Sequence, residues 1–109
     1  MLIEAAAAIL VLAQTVPDRP EVAQAALEEA EHHYKDCLED SASRVDDGHS
    51  DEAAIAAKIE GDCPSHLTVY FRDLKQVHPD DDQTDKAIRH AFALEIVHGR
   101  REAALTVVN

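Results

Sequence analysis

The chain has 109 residues and a mass of 11.9 kDa, which suits one domain and leaves no room for two. Its 22 Asp and Glu against 10 Lys and Arg give a formal charge of −12, and a surface of that sign repels nucleic-acid phosphate. Apolar residues at 46% can bury a core, whereas no Trp, two Phe, two Tyr and three Gly leave neither a base-stacking platform nor a phosphate-cradling loop.

Residues 1–13, MLIEAAAAILVLA, are the most apolar stretch. The run is too short for a bilayer span, which needs roughly 20 apolar residues. It fits the hydrophobic region of a secretory signal, with Val11 and Ala13 at the two positions a signal peptidase reads before Gln14. Glu4 stands where such a signal carries Lys or Arg, and the run is shorter than the usual length of roughly 15–30 residues. The other reading is a retained helix, which needs a partner surface, a second copy or a membrane face to cover it. Residues 1–15 are therefore treated as a separate apolar segment and residues 20–109 as one helical domain.

Pro17 and Pro20 separate the two parts. Pro20 is suited to the first position of a helix. From there Ala23, Leu27, Ala30, Tyr34, Cys37, Leu38, Ser41 and Val45 recur at intervals of three and four, predicting a helix over 20–45. Gly48 can take the left-handed conformation that follows a helix, and Ser50 can cap the next one. Ala53, Ile55, Ala56, Ile59 and Cys63 predict a second helix on one face, weakened by Gly61 and Pro64. A third starts near Pro64-Ser65 and carries Leu67, Tyr70, Phe71, Leu74 and Val77 until His78-Pro79 stops it. After the acidic loop at Asp80–Asp82, Thr84 can cap a fourth helix from about 85 to 98 or 105. Its inner face reads Ile88, Ala91, Phe92, Ile96 and Gly99, broadened by Ala87, Leu94 and Val97. Thr106-Val107-Val108 reads as a frayed or extended tail. The fold class is all-α: a small domain of three to four helices containing an antiparallel helical hairpin.

Cys37 and Cys63 both fall on inner faces of that hairpin. At 1.5 Å per residue their distances from the turn differ by about 6 Å, near the upper limit for a disulfide. Three states of the pair follow: a disulfide, two buried free thiols, or thiolates on zinc together with His33 and His66. The last set has Cys2His2 composition, though the order His-x3-Cys…Cys-x2-His is not that of a zinc finger. A disulfide would agree with export, since both need an oxidising compartment.

Cys37-Leu38, then Val45-Asp46-Asp47-Gly48-His49-Ser50-Asp51-Glu52-Ala53, then Ile55-Ala56, Ile59 and Cys63 form a longer string. It resembles small exported bacterial proteins with a pattern C…DDG-x-SDA…IA…I…C, over about residues 30–70. In this chain Glu52 is inserted between Asp51 and Ala53. The resemblance implies a disulfide-tied helical hairpin through Cys37 and Cys63, and implies no activity.

Other constellations carry less. Asp46-Asp47-Gly48 cannot be an EF-hand, because Gly48 at its sixth place puts Val45 and Ala54 where carboxylates are required. His32 and Asp36 stand four apart, and His90 and His98 two turns apart, with no third ligand. Ser41, Ser43, Ser50 and Ser65 lack a nucleophile motif, and a Cys37–His33 pair is improbable as a nucleophile on an inner face. Glu28, Glu29, Glu31, Asp36, Glu39, Asp40, Asp46 and Asp47 line the hairpin and either keep it soluble or imitate a phosphate backbone.

The expectation is a non-enzymatic acidic protein, exported to the cell envelope or periplasm and acting through contacts with a protein partner, a basic one being the option its charge favours, or with a second copy. It needs no cofactor, catalytic residue or metal, and does not bind nucleic acid directly. The alternatives are a cytoplasmic nucleic-acid mimic that blocks a basic protein, and a zinc-stabilised hairpin.

Overall fold

The computed structural model describes residues 19–108, so the apolar segment 1–15 lies outside the described residues. Four helices follow in order: α1 over Pro20–Val45, α2 over Glu52–Ile59, α3 over Pro64–Val77 and α4 over Asp85–Val108. No strand occurs among the described residues.

Local chemistry accounts for most boundaries. Pro20 opens α1, where its missing N–H would have had no partner. At the other end the Asp46 N–H donates to Ala42 O at 2.8 Å. Gly48 has φ of 76°, the left-handed conformation that turns the chain back. Thr84 Oγ1 accepts from the Ala87 N–H at 3.1 Å and caps α4. His78 ends α3 immediately before Pro79.

Three expectations are corrected. The second helix stops at Ile59 rather than reaching Cys63: the Asp62 N–H bonds back to Ile59 O at 2.9 Å and Pro64 restarts the chain as α3. Ser50 does not cap α2; Asp51 precedes the helix, and the Ser50 hydroxyl is spent on Asp47. Residues 106–108 continue α4 instead of fraying or extending.

The chain runs up, down and up. α3 lies mainly against α1 and antiparallel to it, since Cys37 meets Cys63 and Tyr34 stacks on Tyr70. α2 lies mainly against α4, also antiparallel, through Glu60–His90 and Glu52–His98. α1 and α4 run parallel, joined by Lys35–Glu95, Glu39–Arg100 and Asp46–Arg101. The descending limb is thus split, each half covering a different ascending helix.

The core is one cluster. Tyr34, Leu38, Ile55, Ile59 and Val97 are its largest fully buried side chains. Tyr34, Tyr70 and Phe92 meet in it, with edge-to-face contacts at 5.4 Å and 5.2 Å between ring centroids. The predicted stripes agree in phase and miss at their margins. Val45, Ala53, Ala91 and Gly99 are exposed, while Ala42 and Ala93 are fully buried in their place.

Candidate functional site

The face around the two cysteines is the candidate site. Cys37 sits half-buried on α1 and Cys63 is buried immediately ahead of α3. Their sulfurs are bonded to each other across a Cα separation of 6.2 Å. Of the three states open in the sequence, the structure holds the disulfide. The bridge therefore ties α1 to the start of α3, beyond the end of α2.

Two histidines flank the bridge. His33 lies one turn before Cys37, and His66 lies three residues after Cys63 in the first turn of α3. Their rings stack across the two helices with centroids 6.4 Å apart. His33 also approaches Glu29 at 3.4 Å, and neighbouring His32 contacts Asp36 at 3.2 Å. Pro64 forms the first position of the helix that carries His66, with Cys63 immediately before it. Among the described residues no group of three or more His, Cys, Asp or Glu could hold a metal ion.

The acidic surface is closely paired within the chain. Lys35 reaches Glu31 at 3.0 Å and Glu95 at 2.8 Å while its ammonium lies 5.3 Å from the Phe92 ring centroid. The Glu95 bond, and then Glu31, raise the Lys35 pKa above its ordinary value. Arg44 contacts Asp40 at 3.0 Å and Arg100 contacts Glu39 at 3.6 Å. Gln24 donates to Glu28 at 3.4 Å.

In the α1–α2 loop both aspartates are structural. Asp46 accepts from Arg101 at 2.7 Å and from the Gly48 N–H at 2.9 Å, and these bonds hold its pKa below the ordinary carboxylate value. Asp47 accepts from the Ser50 hydroxyl at 2.6 Å and from the His49 and Ser50 N–H groups at 2.8 Å, which hold its pKa lower still. Asp46 thus ties the loop to α4, while Asp47 is bonded within the loop.

His90 and His98 gain partners that sequence spacing could not reveal. His90 Nδ1 lies 3.0 Å from Glu60, the residue that caps the C-terminus of α2, and His98 Nδ1 lies 3.2 Å from Glu52, its first residue. These contacts span 30 and 46 residues, so no local periodicity reports them.

Among the described serines, Ser41 is buried, Ser43 bonds Asp40 O and Ser50 bonds Asp47. An open groove of about 840 Å³ lies where α1 begins and α3 ends, lined by Pro20, Ala23, Gln24, Gln76 and Val77 among others.

Compared with protein-family models, curated proteins and solved structures, the chain matches none. The reading of function therefore rests on its own residues.

Proposed function

We propose that this chain is a non-enzymatic, disulfide-tied helical module of the bacterial cell envelope that works by binding a protein partner with a basic surface. The Cys37–Cys63 bond carries the reading, because such a bond persists in oxidising compartments and is rare in the cytosol. The apolar run at residues 1–13 and the resemblance of the Cys37–Cys63 string to small exported proteins support export. No described helix is long and apolar enough to cross a membrane. A formal charge of −12 favours a cationic partner surface and a fast, salt-sensitive encounter.

Phosphate mimicry is the weaker reading. Of the eight acids along the hairpin, Glu31, Glu39, Asp40 and Asp46 are paired with Lys or Arg inside the chain, which breaks up the row of free charge that a phosphate backbone presents.

The deciding experiment is the intact mass of the protein from envelope and cytoplasmic fractions of its host, alkylated before and after reduction. The reading expects an envelope species lacking the apolar N-terminus, with two alkylation sites that appear only after reduction. A full-length cytoplasmic species with two freely alkylated thiols overturns it.

A further inference from the structure

We propose that the open groove where α1 begins and α3 ends is the docking site for the partner, and that it takes a basic segment of that protein with an apolar centre. The inference deepens the reading of a basic partner and rests on it.

The groove measures about 840 Å³, within the range of roughly 300–1,000 Å³ in which clefts hold ligands. More of its exposed lining is apolar than polar, with Pro20 and Ala23 contributed by α1 and Val77 by α3. Val77 also lines a second hollow of about 490 Å³, together with Pro79, Asp80 and Asp81. The two meet at Val77, so the depression runs from the start of α1 over the end of α3 onto the α3–α4 loop. An elongated depression suits a stretch of chain better than a compact small molecule. Val22, between two lining residues, is 59% exposed and adds apolar surface at its edge.

The charge beside this depression is acidic and largely uncommitted. Glu21 lines the groove, Asp80 and Asp81 line the hollow, and Asp82 follows them. Glu21, Asp80 and Asp82 are exposed and make no ion pair among the described residues. Along the hairpin, by contrast, Glu31, Glu39, Asp40 and Asp46 are held by Lys or Arg. Two cations stand nearby. Arg19 lines the groove, and the Lys75 ammonium donates to the Asp81 carbonyl oxygen and lies 5.1 Å from the Phe71 ring centroid. An apolar centre with a charged rim is the usual anatomy of a binding surface. Here apolar side chains of the partner would fill the centre, while its Lys or Arg meet the free acids and set orientation.

The probe is a capped nine-residue peptide with two Lys at each end and Leu-Val-Leu at its centre, titrated at low salt into the isotope-labelled, disulfide-bonded chain. Amide resonances should shift at residues 19–24 and 76–82 and stay fixed along the rest of α1. A counterpart with Ser in place of the three apolar residues should bind at least about tenfold more weakly. Ala23→Trp, which fills the groove, should weaken binding by at least about tenfold. E21Q/D80N should weaken it about threefold or more, while D51N/D62N, which removes two exposed charges flanking α2, should change it less than about twofold. E21Q/D80N alters only exposed side chains, so it keeps the test decisive if Ala23→Trp disturbs the fold. Equal binding of the Ser counterpart, or shifts that spread along α1 and survive both groove variants, overturn the groove and leave a basic partner in place. No binding of either peptide at low salt overturns the groove and the charge argument for a basic partner together, while the export reading still answers to the intact mass.

Discussion

Tyr34 shows how much one polar atom can be asked to give up. Its side chain is fully buried among Tyr70, Phe92 and aliphatic neighbours, and its hydroxyl has no hydrogen-bond partner. Burial pushes its pKa up to about 12, with Arg89 opposing the shift and Glu60 adding to it. An unpaired buried hydroxyl costs free energy that its ring repays through packing. Tyr34→Phe should therefore leave stability unchanged or raise it by up to about 1 kcal/mol in urea unfolding. A clear loss would mean that the hydroxyl has a partner in solution. Asp46 is the opposite case, an acid with every bond made. Arg101 and the Gly48 N–H hold its folded-state pKa below the ordinary 3.8. A depressed carboxylate pKa stabilises the fold fully above the unfolded value, and that contribution disappears as pH falls through the folded value. Asp46→Asn should lower the Tm at pH 7, and the gap to the parent should close as pH falls below the ordinary carboxylate range. A gap that persists there would place the effect in loop geometry rather than in charge.

At the scale of helices, the divided descending limb is the feature that most depends on the bridge. α2 has eight residues, short of the length at which a helix is stable by itself. Its buried face of Ile55, Ala56 and Ile59 holds it against its neighbours, and two histidine–carboxylate contacts join it to α4. The turn at 60–63 lets α3 change partner and lie on α1. The disulfide then closes a loop of sequence separation 26 across that break. Chain entropy assigns such a closure about 3.5 kcal/mol. C37S/C63S should lose about that much in denaturant midpoint analysis, a large share of the stability of a small domain. A loss below about 1 kcal/mol would show that packing alone orders the limb.

Over the whole molecule, charge is the dominant unbalanced quantity. Five of the ten Lys and Arg side chains are paired with carboxylates inside the chain, and the excess of acid leaves a net negative field. Seven histidines give this field a dependence on pH: their full protonation takes the formal charge from −12 to −5. His32, His33, His90 and His98 already touch carboxylates, so added protons turn existing contacts into ion pairs. Acidification below about pH 6 should relieve repulsion between copies and promote association while the fold persists. Dynamic light scattering from neutral to mildly acidic pH would show the hydrodynamic radius growing. A constant radius with unchanged solubility would rule out charge as the control on association.

Much of this architecture was legible in local sequence. Pro20, Gly48, Thr84 and His78-Pro79 mark boundaries because each acts through its own backbone or its nearest neighbours. The apolar repeats around Leu27–Leu38 and Leu67–Leu74 give the buried faces because a helix places residues three and four apart on one side. The cysteine pair was visible as one of three states, and the resemblance pointed to the same bridge. What spacing could not supply depends on neighbours distant in the chain. Ala42 and Ala93 are buried, while Val45 and Ala91 are exposed, because facing helices decide where a stripe ends. The division of α2 from α3, the parallel course of α1 and α4, and the pairing of His90 and His98 with α2 arise from packing across 30 residues or more. Periodicity reports which face a helix buries; which helix receives that face is settled by the fit of all four together.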